Sequence, residues 1–198
     1  MLAKRVFDVF AALLGLIILS PVFAVVALLI KRDSPGPIFF RQERVGRHGV
    51  IFRILKFRTM RAYSEAGRQI TVGDDARITS IGKVLRRFKI DELPQLLNVL
   101  RAEMSLVGPR PEVPRYVACY PEGVRETVLS ALPGITDQAS IEFREENAIL
   151  ADAIDPERAY IEEILPIKLD YYTRYVRERN FMMDLEIIFS TLVAILRI

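Results

Sequence analysis

Asp91 and Glu92 stand side by side in "KIDELPQLLNVLRAEMSLVGPRP" (residues 89–111), and Arg110 follows between two prolines. An ionised aspartate is already a nucleophile at neutral pH and needs no histidine to activate it. Two adjacent carboxylates can also hold Mg2+, a hard ion that commonly bridges a protein carboxylate to substrate phosphates. Proline pushes its preceding residue to extended geometry, so Gly108 and Arg110 are restricted while Pro109 and Pro111 have fixed φ. A guanidinium presented from so stiff a loop suits bidentate phosphate recognition. The chemistry within reach is therefore phosphoryl chemistry. Each feature also has a plainer reading: Asp91 as a helix N-cap, Glu92 favoured beside it by the helix dipole, Arg110 solvated on a rigid turn. A helix start would keep both carboxylates ionised.

Histidine-dependent chemistry is nearly excluded. His48 is the only histidine and sits in a Gly-flanked turn, "VGRHGV", where a solvated side chain is expected. Cys119 is the only cysteine, so there is no intrachain disulfide and no Cys cluster for zinc; a reducing, cytosol-facing location fits. The net charge of +3 suits phosphate-rich ligands, anionic lipid or nucleic acid and decides among none of them. No internal repeat or low-complexity segment is present.

The elements that must hold these residues begin with an apolar stretch. The 198 residues are 51% hydrophobic and 27% charged, a combination that points to a charged domain with one concentrated apolar segment. That segment is "KRVFDVFAALLGLIILSPVFAVVALLIKRD", uncharged between Asp8 and Lys31 and long enough for one bilayer crossing. Ser20-Pro21 interrupts it midway, and basic pairs flank both ends, Lys4-Arg5 and Lys31-Arg32. The positive-inside tendency places both pairs on one side. A kinked hairpin satisfies both facts, with halves of ~17 Å that reach mid-bilayer. A spanning helix with a tolerated proline stays open, and a buried core helix is the third option.

Past "SPGP", two extended runs flank Gly46-Arg47-His48-Gly49 and read as a hairpin, with Lys56 and Arg58 on one face by alternation. Arg41, Arg44, Arg47, Arg53, Lys56, Arg58 and Arg61 make a dense basic stretch that attraction to anionic headgroups could account for. No nucleic-acid motif accompanies it. Residues 62–76 read as a polar loop with Asp74-Asp75. One helical stripe follows, Ile78, Ile81, Val84, Leu85 and Phe88, then a second, Leu93, Leu96, Leu97 and Leu100, with Pro94 in its first turn. The tail is helical and ends in apolar "LEIIFSTLVAILRI", which packs in the core or lies in a membrane interface. These elements predict an α+β, mostly helical fold.

"KFRTM" (56–60), "LRRFKIDELPQLLNVL" (85–100), "MSLVGPRP" (104–111) and "LPGIT" (132–136), in that order after a Ser-Pro-broken apolar hairpin, closely resemble the bacterial sugar transferases called monotopic phosphoglycosyl transferases. The resemblance covers nearly the whole chain. It implies a re-entrant membrane hairpin over 1–31, broken at Ser20 and Pro21, and a cytoplasmic catalytic domain over 32–198 with an interfacial C-terminal helix. The implied reaction moves a sugar phosphate from a UDP-sugar to polyprenyl (undecaprenyl) phosphate with Mg2+, at the bacterial inner membrane, as the first membrane step of glycoconjugate assembly. By the same resemblance Asp91 is the nucleophile and Mg2+ contact, and Glu92 completes the dyad. Lys56, Arg58, Arg86, Arg110 and Arg144 would bind phosphate or substrate. The partners implied are the two substrates and inner-membrane lipids; self-association is left open.

The chain departs from the family in two places. "DQASIEFREEN" follows "PGIT" where a glycine-containing pattern is usual, with Arg144 keeping the arginine register, and Glu103 stands where Asp is usual. Because the first change falls in a region linked to the nucleotide sugar, the sugar is not identified. Two other readings stand beside the transferase: a non-catalytic adaptor binding anionic lipid, with Asp91 only an N-cap, and a lipid-phosphate phosphatase.

Overall fold

The computed structural model describes residues 2–61, 75–143 and 146–196. Helix α1 (Leu2–Asp33) leads into an antiparallel hairpin, β1 (Phe39–Val45) and β2 (Ile51–Phe57), and then α2 (Ser80–Arg87) and α3 (Gln95–Leu100). Strand β3 (Ser105–Val107), α4 (Pro114–Val117), α5 (Val124–Leu129) and β4 (Gly134–Thr136) follow, with α6 (Gln138–Glu142) and α7 (Glu146–Ala151) after them. The chain ends in α8 (Pro156–Ala159), α9 (Leu165–Glu178) and α10 (Phe181–Leu196). Among the described residues the fold is mostly helical α+β, with two small two-stranded sheets.

The hairpin forms as its turn residues predict, in the register Phe39↔Phe57 to Val45↔Ile51. His48 takes positive φ in the turn and is exposed. The two helical stripes are shorter than the sequence pattern, and the first divides. Leu85 is buried against α1 with Ile81 beside it, whereas Val84 and Phe88 face outward.

A break was expected at Ser20-Pro21, yet α1 is helical throughout with Pro21 inside it. The reason is local. Proline at 21 removes the N–H that would bond the Ile17 carbonyl, and the Ser20 hydroxyl donates to that same carbonyl at 2.8 Å. With its orphaned acceptor satisfied, the helix continues.

One face of α1 is packed along its length. Ala12 meets Leu96, Val99 and Met104, while Val26 and Ile30 meet Phe57 and Leu85. Its remaining faces expose Phe10, Leu14, Ile17, Ile18 and Val25, among others. Both ends are tied by polar bonds. Near the start, Lys4 Nζ donates to Asp184 Oδ2 (2.6 Å), and Arg5 donates to the Val99 (2.7 Å) and Met104 (3.2 Å) carbonyls. Past the end, the Arg58 guanidinium donates to the carbonyls of Ser34 (2.7 Å) and Pro35 (2.6 Å). The apolar tail packs on one side only: α10 buries Asp184 and Ile187 and exposes Met182, Phe189, Leu192 and Leu196. Phe7 of α1 meets Phe181 of α10 edge-on, ring centroids 5.2 Å apart, so the two apolar faces adjoin. A separate core under α4, α5 and α9 holds Tyr116, Val128, Leu169 and Tyr172.

Candidate functional site

Asp91 and Glu92 lie in a tight 3-10 turn, Ile90–Glu92, and not at the start of α3. Lys89, in the left-handed region at φ 56°, turns the chain into it. Pro94 is the N-cap of α3 and caps without a side-chain bond, so neither acid serves as a cap. Both are buried, at 7% and 8% exposure. Their environments differ sharply. Glu92 Oε1 accepts from Lys56 Nζ and from Arg110 Nη2, each at 2.6 Å. Asp91 Oδ1 is buried with no hydrogen-bond partner.

Electrostatics follow from that contrast. Burial acts to raise the Glu92 pKa, but Arg110, Lys56 and Lys89 together hold it well below the usual carboxylate value. Burial pushes Asp91 above its usual value, with Glu92 adding to the rise and Lys56, Lys89 and Arg86 opposing it. The cations around Glu92 favour its charged form, whereas burial works against the charge on Asp91. Lys56 is lowered by burial against the pull of Glu92, and Arg110 is raised chiefly by Glu92.

The elements explain who meets whom. Lys56 comes from β2, whose last residue, Phe57, is anchored between Phe23 and Phe39. Arg86 comes from α2, which Thr79 caps by accepting from the Gly82 N–H. A Cβ on Gly82 would stand 2.1 Å from the Thr59 carbonyl oxygen, so only glycine lets α2 approach the chain leaving β2. At that approach Arg86 Nε donates to Thr59 Oγ1 at 2.9 Å, and Asp91 is the leading attraction on Arg86. Arg110 follows β3, which pairs in parallel with β4. Gly108 and Gly134 cross so closely that a Cβ on Gly134 would lie 2.1 Å from the Gly108 nitrogen. From the far side, Arg44 donates to the Pro111 carbonyl (3.0 Å), and Tyr160 and Arg44 both bond Glu112. The basic stretch is thus not one solvated patch: Arg44, Lys56 and Arg58 turn inward.

Of the residues singled out from sequence, Asp91, Glu92, Lys56, Arg86 and Arg110 come together. Arg58 goes elsewhere: its terminal nitrogens are spent on Ile30, Ser34 and Pro35, at the far end of α1. The alternation that put it on the Lys56 face fails because β2 stops at Phe57. Ser20 and Pro21 lie within α1, away from the acids. Arg144 lies outside the described residues, as does most of the loop at 62–76; Asp75, which is described, pairs with Arg77 at 2.6 Å. Glu103 accepts from Asn98 Nδ2 at 2.6 Å. The departure after "PGIT" begins with Asp137, which N-caps α6 by accepting from the Ser140 N–H.

Gln95 was missed. It is buried at 1% exposure with Nε2 unpartnered. Among the described residues no group of three or more His, Cys, Asp or Glu could cage a metal. Asp91 Oδ1 is a hard carboxylate oxygen without a partner, and hard cations that keep most of their waters use such a ligand. What the set can do is bind phosphate oxygens through cations while holding one unpaired carboxylate among them.

The family model for bacterial sugar transferases matches residues 1–198. The chain is 38% identical to UDP-N-acetylgalactosamine-undecaprenyl-phosphate N-acetylgalactosaminephosphotransferase of Aeromonas hydrophila, over 98% of this chain and 43% of that protein. It is 36% identical to exopolysaccharide production protein ExoY of Sinorhizobium fredii, over 98% of this chain and 85% of that protein. It is 40% identical to undecaprenyl-phosphate glucose phosphotransferase of Komagataeibacter xylinus, over 97% of this chain and 35% of that protein. The chain thus spans less than half the length of the first and third and most of the second.

Proposed function

This chain belongs to the bacterial sugar transferase family, and from that premise we propose that it moves a sugar 1-phosphate from a UDP-sugar to polyprenyl phosphate, releasing UMP. The observation that carries the reading is the unequal acid pair: Glu92 saturated by cations, Asp91 buried beside it with an oxygen to spare.

Asp91 attacks the sugar-side phosphorus of the diphosphate. The bridging P–O bond breaks and UMP leaves with its electron pair. An oxygen of the lipid phosphate then attacks the aspartyl phosphorus, the Asp91 O–P bond breaks, and the carboxylate is restored. Glu92 holds Lys56 and Arg110 at the site. Arg110 uses one terminal nitrogen on Glu92, so donors remain for phosphate oxygens. Arg86 and Lys56 add positive charge near Asp91, which offsets repulsion between carboxylate and diphosphate. We assign Mg2+ to Asp91, where it would neutralise phosphate charge in the reacting complex. Arg58 acts by fixing the end of α1, and Arg144 is retained as a substrate arginine on the resemblance. Relatives named for N-acetylgalactosamine and for glucose are about equally similar, so a sugar panel must choose the donor.

The same reading places α1 as a re-entrant membrane element (residues 1–31) with the domain over 32–198 on the cytoplasmic side of the inner membrane. Its support is the pair of tethers: Lys4 and Arg5 at one end and the Ser34–Pro35 carbonyls at the other are bound to the same domain. A helix so attached keeps both flanks on one side.

Protein in nanodiscs, given UDP-sugars, Mg2+ and polyprenyl phosphate, should release UMP. Donor labelled in the sugar phosphate should leave label on Asp91 when lipid acceptor is withheld. No UMP from any donor would indicate an adaptor, and inorganic phosphate from the lipid alone a phosphatase.

A further inference from the structure

Strand β3 carries the chain into Arg110, and among the described residues only one of its edges is paired with another strand. Ser105 N–H donates to the Pro133 carbonyl and Gly108 N–H to the Thr136 carbonyl, on the β4 side. The groups pointing the other way, which an edge strand would normally leave to water, are taken by side chains. Asp8 Oδ1 accepts from the Leu106 N–H (3.3 Å) and Asp8 Oδ2 from Ser105 Oγ (2.8 Å). The Val107 carbonyl receives Tyr175 OH (3.0 Å) and Lys4 Nζ (3.3 Å), and the Met104 carbonyl receives Arg5. Asp184 closes the set, accepting from Lys4 Nζ at 2.6 Å and lying 2.7 Å from Tyr175 OH, whose one proton is shared between Asp184 Oδ1 and the Val107 carbonyl.

Two features mark this as more than edge cover. Asp8 is buried at 2% exposure on a helix that carries no further charge before Lys31, where an ionisable side chain is costly unless its bonds repay it. In addition, the three gripping residues of α1 are spaced i, i+1 and i+4, so one turn of the helix holds residues 104–107 of the strand. Arg110 lies three residues beyond, already bonded to Glu92.

We propose that Lys4, Arg5 and Asp8, with Tyr175 and Asp184, form a clasp that positions the Arg110 loop against Glu92, so that the apolar helix is the reference from which the phosphate-binding arginine is set. These are positioning residues. The inference rests on the transferase reading for its effect on turnover, but not for its effect on β3.

Asp8→Leu is the informative substitution, since it makes α1 more apolar and so keeps the protein on the membrane. The expected result is a fall in kcat of about 10- to 100-fold, the scale of a misplaced active-site group. Asp8→Asn keeps an acceptor for the Leu106 N–H and should hold activity within about 3-fold of the parent. In an Arg110→Lys background the Asp8→Leu loss should shrink to within about 3-fold, because residues acting through one another are not additive. Multiplicative losses there would reduce Asp8 to general support and overturn the proposal, as would equal activity of the Leu and Asn variants. Hydrogen exchange gives a readout independent of turnover: amides of 104–108 should exchange about 10-fold faster in Asp8→Leu while the β1–β2 hairpin is unchanged. Unchanged exchange at 104–108 overturns the clasp; a parent protein that releases no UMP overturns the transferase reading instead.

Discussion

Two neighbouring carboxylates are shifted in opposite directions by what surrounds them. Asp91 has its pKa raised by burial, so its folded form binds a proton more tightly than the unfolded chain; its stabilising share is complete below the unfolded pKa and is lost as pH rises through the folded one. Removing the charge should therefore stabilise. Asp91→Asn is expected to raise Tm by about 2–4 °C at about pH 7, equivalent to about 1 kcal/mol, with the gain fading toward about pH 4. The same variant should lose turnover by more than about 1,000-fold if Asp91 is the nucleophile. Thermal unfolding across pH and UMP release check the two halves separately. Mg2+ adds a third readout: it should raise the Tm of the parent, and Asp91→Asn should be indifferent to it. Glu92 works in the other direction. Its pKa is held well below the ordinary value, so its contribution is present above the unfolded pKa and lost as pH falls through the folded one. Glu92→Gln leaves Lys56 and Arg110 buried without their counter-charge and should cost about 3–5 kcal/mol, read by denaturant unfolding.

Elements decide which of these residues meet, and here the sequence was unevenly legible. The hairpin could be read because its turn residues and flanking alternation are local signals, and so could the stiffness of the loop presenting Arg110, since proline geometry is local too. Arg58 could not: its destination depends on where β2 ends and on the carbonyls left open by α1, a long-range matter. Asp8 was read merely as the edge of an apolar run, because its partners lie some hundred residues away on β3. The helical continuity of α1 turned on a single hydroxyl that stands in for the N–H missing at Pro21. A prediction at this scale follows. With Ser20→Ala and Pro21→Leu together, α1 keeps its length of about 48 Å, longer than a bilayer core of about 30 Å, and regains the backbone hydrogen bond that Pro21 removes. A cysteine at position 3, in a Cys119→Ser background, should then react with an impermeant maleimide from outside, while the exposed Cys119 of the otherwise native chain reacts only from inside. If position 3 still reacts only from inside, the polar ties at the two ends, and not the Ser-Pro pair, set the topology.

For the molecule as a whole, the proposed reaction has one water-soluble substrate and one embedded in lipid, and the adjoining apolar faces of α1 and α10 bear on these differently. The acceptor phosphate stays at headgroup height, so the distance from the apolar surface to Asp91 matters to the second half of the reaction and hardly to the first. α10 can be altered without touching the acids: Phe189 and Leu192 are 68% and 55% exposed, whereas α10 meets the rest of the protein through Phe181, Met183, Asp184, Ile187, Ile188 and Thr191. Phe189→Glu with Leu192→Glu removes two large apolar side chains, each worth about 1.5–3 kcal/mol when fully buried, from whatever apolar medium covers that face. The expected outcome is an initial burst of close to one UMP per protein from the UDP-sugar, as in the parent, followed by steady turnover at least about 10-fold slower. Rapid-quench measurement of UMP separates the phases. A burst reduced in step with turnover would mean that this face supports the fold around Asp91 and not the meeting with lipid, and the assignment of α10 to the interface would have to be given up.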